Sequence, residues 1–319
     1  MEGKIFDVSG REYALPALLG WDVSHGFCSP CDSFEARFLY DQSMLEPLSA
    51  AYRFSATHEG ETVFRGVVDE FELSADERGC VCVLQGRGMQ ALLLDSQTEG
   101  GEYFAADTGF ILDRHARALG VTDIDAGRFN ANSNNGQAAS LTVSSGESHW
   151  SVLSRFAEFC LGVRPRFTPA GRLLLDGADS GRSFTVTAGT AVSAQTYAQE
   201  RYSVVSEVVV LNRVLGTLAR VEDPRAREMG IKRVRVVNVP RKTAFDAMQH
   251  TAAYQTEQGW RNFLRCRLTV AECFPAFPGD RAVLESTPLG ITGEFTVDAT
   301  RCWANGRSAG TVLDLKKSI

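Results

Sequence analysis

The feature that most restricts the folds open to this chain is a period of two. Across residues 33–40, SFEARFLY, Phe34, Ala36, Phe38 and Tyr40 alternate with Ser33, Glu35, Arg37 and Leu39. An extended strand turns every second side chain to the same side, so the pattern predicts a strand with one face against a core. The flanking sequence continues in this way. Residues 51–57, AYRFSAT, read as a strand, His58-Glu59-Gly60-Glu61 as a polar turn, and residues 62–73, TVFRGVVDEFEL, as a longer strand. A turn at 75–79 and a strand at 80–85 follow. Gly66, inside the long strand, is read as a bulge or bend. Short strands joined by polar turns imply an antiparallel sheet or barrel, and a first β domain is placed at residues 1–97.

The middle of the chain changes period. Asp107-Thr108 can cap a helix over 109–119, with Phe110, Ile111 and Leu119 on its apolar side and Gly120 as its stop. Residues 130–136, NANSNNG, are a loop of low helix and strand propensity. Ser145-Gly146-Glu147-Ser148 signals a second helix carrying Trp150, Val152, Leu153, Phe156, Ala157, Phe159 and Cys160 and ending at Gly162. Residues 164–167 and 172–175 then form a hairpin around Pro169-Ala170-Gly171. A small α+β domain is placed at 98–182.

The last third returns to strands, at 202–214, 232–239, 263–270, 282–285, 293–299 and 311–315, with a turn at 277–280. Residues 243–261 break the pattern. There Phe245, Met248, Ala252, Tyr254 and Trp260 have loose helical spacing. The fold class expected is mainly β with an α+β insert: two β-barrel domains, at 1–97 and 183–319, flank the small α+β domain. A length of 319 residues suits about two or three cores.

Charge narrows the function. The net charge is −6, which disfavours wrapping nucleic acid, and no apolar run reaches the roughly 20 residues that span a bilayer. The N-terminal MEGKIFDVSGREYALP lacks the basic-then-apolar order of a signal peptide, so cytoplasmic folding and mainly reduced cysteines are expected.

Catalytic signatures are sparse. There is no G-x-S-x-G, H-E-x-x-H or P-loop pattern. Gln85-Gly86-Arg87-Gly88-Met89 lacks the Lys-Ser/Thr of a phosphate loop and reads as a strand end turning into a short helix over 89–94. Cys28 and Cys31, with Cys80 and Cys82, could supply four thiolates to zinc, with His25 as an alternative ligand. The second pair is C-x-C within a strand, so plain thiols are the favoured reading and no metal or cofactor is expected. His25, His58, His115, His149 and His250 fall on separate elements. Glu70 and Glu72 share a strand face, with Asp69 on the other, free for a salt bridge across an interface. They read as a solvated face rather than as a glycosidase pair.

Arg220, Arg225, Arg227, Lys232, Arg233, Arg235, Arg241 and Lys242 form a basic segment interrupted by Glu222, Asp223 and Glu228, with no aromatic residue for base stacking. It suits a protein-facing or channel-facing surface. No residue qualifies as catalytic. The interface candidates are Asp69, Glu70 and Glu72 on one strand, and Lys232, Arg233 and Arg235 together with Arg265 and Arg267.

Several motifs then fall in a familiar order. They are Trp21; Cys31-Asp32-Ser33-Phe34-Glu35; Val63-Phe64-Arg65-Gly66-Val67-Val68-Asp69; Gly86-Arg87-Gly88; and Asp95-Ser96. Gly146-Glu147-Ser148-His149-Trp150, Gly162, Gly171-Arg172-Leu173, Phe277-Pro278-Gly279-Asp280 and Gly293-Glu294-Phe295-Thr296-Val297 follow. In this order the chain resembles the baseplate hub proteins of contractile-tailed phages and related particles, the late control protein D group. The resemblance implies two tail-tube-like β-barrels per chain and a homotrimer forming a pseudo-sixfold ring. Such a ring joins a hexameric tail tube to a trimeric central spike. The implied partners are the tail tube protein, the central spike protein, the tape measure protein and baseplate wedge proteins. No membrane and no specific nucleic acid is implied. The implied location is the tail baseplate of a virion or phage-like particle, assembled in the host cytoplasm.

Two other functional classes place different demands on the sequence. A peptidoglycan-binding module needs surface aromatics, whereas Trp150, Phe156 and Phe159 read as internal. A wall-degrading enzyme needs an acid–base pair in a cleft, and some related hubs join a lysin. No such pair stands out here, and no spare segment for a lysin is expected.

Overall fold

The computed structural model describes residues 1–27, 31–77, 79–129, 137–176, 180–212, 214–239, 252–257, 259–260 and 263–317. Cys28, the 130–136 loop, Arg241, Lys242, Phe245, Met248, His250 and the Phe159 side chain lie outside the described residues.

The first region contains β1 (Glu2–Phe6), β2 (Glu12–Ala14), β3 (Leu18–Gly26), β4 (Ser33–Leu39), α1 (Leu45–Ala50), β5 (Arg53–His58), β6 (Glu61–Asp76) and β7 (Gly79–Gly88). The alternation read from β4 is realised. Phe34, Ala36 and Phe38 are buried, while Ser33, Glu35, Arg37 and Leu39 are exposed. At the β5–β6 turn Glu59 and Gly60 both take positive φ, 51° and 84°, which gives the strand-matching twist of a tight hairpin.

Gly66 is not a bulge. It pairs in register with Phe54 and Gly88, and an added Cβ would stand 2.0 Å from the Arg87 carbonyl oxygen. The glycine is there because two backbones approach closely. The bulge falls at Asp69, where the pairing passes from Val68↔Gly86 to Glu70↔Gln85.

The middle region has α2 (Ala91–Leu94), β8 (Gly101–Asp107), α3 (Thr108–His115), β9 (Ile124–Asp125), β10 (Gln137–Val143), α4 (His149–Phe156), β11 (Arg166–Phe167) and β12 (Leu173–Leu174). Asp107 accepts from the Phe110 N–H to cap α3, and Ser148 accepts from the Ser151 N–H to cap α4. Beyond α4 a wider turn ends at Gly162, whose φ of 68° reverses the chain. Leu93, Ile111, Leu112, Val152, Leu153, Phe156 and Leu173 form this region's core.

The last region has β13 (Ser183–Val186), β14 (Val192–Gln199), β15 (Glu207–Asn212), β16 (Gly216–Glu222), α5 (Pro224–Glu228), β17 (Val234–Val239), β18 (Leu264–Val270), β19 (Arg281–Leu284), β20 (Gly293–Asn305) and β21 (Ala309–Lys317). β15, β16 and β17 form a separate sheet, with Val205, Val208, Val210 and Ala252 beneath it. Residues 252–257 and 259–260 are helical, within the span read as a helix.

The fold is mainly β, as the sequence predicts. The two β regions are one sheet of 13 strands, ordered β14-β18-β21-β20-β3-β4-β7-β6-β5-β1-β2, with β19 and β13 branching from β20. The join is the antiparallel pairing of β20 with β3, from Ala299↔Gly26 to Asn305↔Gly20.

The regions also share a plan. β3, β4, β5, β6 and β7 correspond in chain order to β14, β18, β19, β20 and β21. Every neighbour pair is antiparallel in both: β3·β4 and β14·β18, β4·β7 and β18·β21, β6·β7 and β20·β21, β5·β6 and β19·β20. The bulges coincide as well. Asp69 is skipped in β6·β7 and Asp298 in β20·β21. Leu19 is skipped in β3·β4 and Ser193 in β14·β18.

Candidate assembly surface

Residues that alternate away from the two cores form one polar face across the joined sheet. A hollow lies on it in each half.

The first, of about 500 Å³, is lined by Asp22, Ser24, Ser33, Glu35, Asp69, Glu70, Gln85, Arg87 and Arg301. Asp69 sits here beside Glu70, not on the opposite side as strict alternation implies, because the bulge resets the alternation. Its carboxylate takes a two-pronged bond from Arg87, at 2.7 Å from Nε and 2.9 Å from Nη2. Arg87 also donates to Asp95, at 2.9 and 2.7 Å. These bonds push the Arg87 pKa up and hold the Asp95 carboxyl below its ordinary range. Arg301 of β20 reaches across the join to Asp22 of β3, at 2.6 Å, which raises its pKa, and Glu35 adds to the rise. Glu72 lies on the exposed part of β6 beyond the hollow.

The second hollow, of about 570 Å³, is lined by Thr196, Ala198, Glu200, Tyr202, Arg265, Arg267, Asp298, Asp314 and Lys316. Arg265 pairs with Glu200 at 2.5 Å, and Arg267 grips Asp314 at 2.6 and 2.9 Å. Lys316 pairs with Asp298 at 2.8 Å, both largely buried. With the two halves in register, Asp298 and Lys316 occupy the positions of Asp69 and Arg87. The same acid–base pair therefore stands at the same bulge twice.

The other candidates are placed elsewhere. Arg233 donates to the backbone carbonyls of Arg201 and Val204, and Arg235 to Gln255 Oε1 at 3.2 Å and the Ser203 carbonyl at 3.4 Å. Both, with exposed Lys232, belong to or border the separate β15–β17 sheet. The structure thus brings Asp69 and Glu70 to one hollow and Arg265 and Arg267 to the other. Asp22, Glu35, Arg301, Asp298 and Lys316 were not singled out from the sequence. The period of two in GWDVSHG, residues 20–26, is the signal that could have found Asp22.

This is a surface of mutually tied charges. An arginine held by a carboxylate has little field left for a phosphate backbone, and a carboxylate held in an arginine fork has its oxygens already engaged. Burial pushes the Cys31 thiol up to about 12 and the Cys82 thiol up to about 11, which makes both weak nucleophiles. His25 is enclosed between Asp32 (3.0 Å) and the Val63 carbonyl (2.9 Å). Among the described residues no group of three His, Cys, Asp or Glu side chains could hold a metal ion.

The fold is that of phage tail proteins and of a secretion-system relative. The chain superposes on a tail protein from Neisseria meningitidis with a TM-score of 0.74 at 19% identity, covering 99% of this chain and 96% of that one. The 43 kDa tail protein of prophage MuSo2 from Shewanella oneidensis gives 0.73 at 16% identity, with coverage of 99% and 98%. An E. coli component of the type VI secretion system, described as structurally similar to T4 bacteriophage tail proteins gp27 and gp5, gives 0.64 at 10% identity, with coverage of 95% and 73%. No family model and no curated protein sequence matches the chain.

Proposed function

We propose that this chain is a structural hub subunit of a contractile phage-type tail, without enzymatic activity. Three copies form a pseudo-sixfold ring that joins a hexameric tail tube to a trimeric central spike. In this reading residues 1–97 and 183–319 are the two tube-like domains and 98–182 the accessory one. The tape measure and baseplate wedge proteins are further partners. The particle assembles in the host cytoplasm.

The observation that carries the reading is the repeated ladder, with its acid–base pair at an equivalent bulge in each half. A threefold object can present six similar faces only if each subunit supplies two, and the shared strand plan supplies two. The neutralised polar face suits the wall of a passage, because it offers passing polymer few unpaired charges.

The test is the mass of the purified protein, alone and with a candidate spike protein, by light scattering. A trimer, or a monomer that becomes a trimer with the spike, supports the hub. A monomer under both conditions, or murein hydrolysis by the isolated chain, contradicts it.

A further inference from the structure

The joint between β20 and β3 is a template for a joint the single chain lacks. β5 covers β6 only from Glu61 to Val67, and among the described residues no strand pairs with the outer side of β6 from Glu70 to Ala75. Among the described residues β14 pairs with β18 on one side only, and it forms the opposite end of the sheet path. β6 corresponds to β20 and β14 to β3. The two open edges are therefore the same two edges that meet inside the chain. An uncovered edge is a row of unpaired N–H and C=O groups that favours pairing.

We infer that β6 of one copy pairs antiparallel with β14 of a second copy of this chain, in the register Glu72↔Ala198, Leu73↔Tyr197 and Ser74↔Thr196. The inference rests on the ring reading above and assigns its head-to-tail contact. The register follows from the bulges. With Asp69 on Asp298, Glu72, Leu73 and Ser74 take the places of Arg301, Cys302 and Trp303. With Ser193 on Leu19, Thr196, Tyr197 and Ala198 take the places of Asp22, Val23 and Ser24. Inside the chain those residues pair Arg301↔Ser24, Cys302↔Val23 and Trp303↔Asp22.

Two independent features fit this register. Leu73 and Tyr197 are each 38% exposed in the single chain, and the pairing puts them directly opposite one another on the core-facing side. On the polar side, Glu72 comes to lie one strand, roughly 5 Å, from β14 and roughly 10 Å from β18. Between them stand only the short side chains of Thr196 and Ala198, and beyond them Arg265 and Arg267. The internal joint has the same arrangement with signs reversed, since Arg301 faces Asp22 and, one strand further, Glu35. The partner fits as a copy of this chain because β18, the strand behind its free edge, carries Arg265 and Arg267 where the internal joint carries Ser33 and Glu35. Within one chain the two edges are not paired with each other, and six strands lie between β14 and β6. The contact is head-to-tail and closes only in a ring.

Paired cysteines test this in the full chain. Directly opposed strand residues lie about 5 Å apart at Cα, within disulfide reach. Leu73→Cys with Tyr197→Cys should give disulfide-linked oligomers under mild oxidation. Either single variant, or Leu73→Cys with Ser193→Cys, which stands about 13 Å further along β14, should give at least tenfold less. Glu72→Arg, at an exposed position that folding does not need, should weaken self-association about tenfold. A trimeric mass with no in-register cross-link overturns the pairing and leaves the ring reading standing. A monomeric mass overturns both. A cross-link from Leu73→Cys to Ser193→Cys but not to Tyr197→Cys overturns the register.

Discussion

The half built on β3–β7 and the half built on β14 and β18–β21 set the same ladder, the same bulge and the same acid–base pair around unlike cores. In the first, aromatic rings fill the interior. Phe34 stacks on Phe54 at 3.9 Å, with Phe64 5.1 Å from Phe34. In the second the interior is mostly aliphatic, from Val186, Leu268, Val270, Leu284, Val297, Leu313 and Leu315, with Phe295 among them and the Phe184–Phe274 ring pair at its side. One cross-strand pair shows the exchange directly. Phe34 faces Gly86 in the first half, and Cys266 faces Leu315 in the second. Bulk has moved from one strand to the other while the pairing stayed in place. The lesson is that register and bulge define this unit, and side-chain volume needs only to sum correctly across each pair.

The largest way to break the comparison is to empty the aromatic core. Phe54→Ala should cost about 3–5 kcal/mol by denaturant unfolding. If the first half melts while the second keeps its ladder, hydrogen exchange will separate them; a single transition would show that the β3–β20 join couples the two halves.

The next test sets the two bulge pairs against each other. Lys316 and Asp298 are largely buried, whereas Arg87 and Asp69 are about one-third exposed. Lys316→Met should cost about 2–4 kcal/mol, because it leaves the Asp298 carboxylate without this cation away from water. Arg87→Met should cost about 1 kcal/mol. Equal losses on the unfolding midpoint would refute the difference in environment.

Gly86→Leu imports the residue of the second half into the first. A Cβ there would lie 2.0 Å from the Val67 carbonyl oxygen and 2.6 Å from the Phe34 ring. The change should cost about 1–3 kcal/mol, and Phe34→Cys in the same chain should restore only part of it, because the carbonyl stays in place.

A last effect, confined to acid pH, lies outside both halves and serves as their control. In the middle region His115 is fully buried, 3.1 Å from His149 (Nδ1 to Nδ1) and next to Arg114. Burial first, then these two neighbours, pushes its pKa down from 6.5 to about 4. The folded chain therefore refuses a proton that the unfolded chain accepts between these values. Stability from this site is complete above about pH 6.5 and is lost as pH falls towards 4. His115→Gln should flatten that slope in unfolding measured against pH, with no change in the two β halves.

Much of this was legible because one buried face imposes a period of two. β4 could be read from SFEARFLY, and the turns at Glu59-Gly60 and beyond Asp76 from their polar residues. The caps Asp107 and Ser148 and the stop at Gly162 were also visible, since each is a local backbone requirement. The Asp69 bulge was not, because no glycine or proline marks it and Gly66 nearby offered a false sign. The join of β3 to β20 was invisible for a different reason. It pairs residues at opposite ends of the chain, as in the bond from Arg301 to Asp22, and nothing local in either strand names its partner. The bulge pairs Asp69–Arg87 and Asp298–Lys316 become recognisable as equivalent only once both ladders are known.

The central claim is that each chain supplies two equivalents of one unit. End-on electron cryomicroscopy of the assembled protein tests it most directly. The account predicts three chains around a central passage, with six similar lobes alternating between the two halves. A ring in which each chain contributes one lobe, or an assembly with no threefold axis, would contradict it.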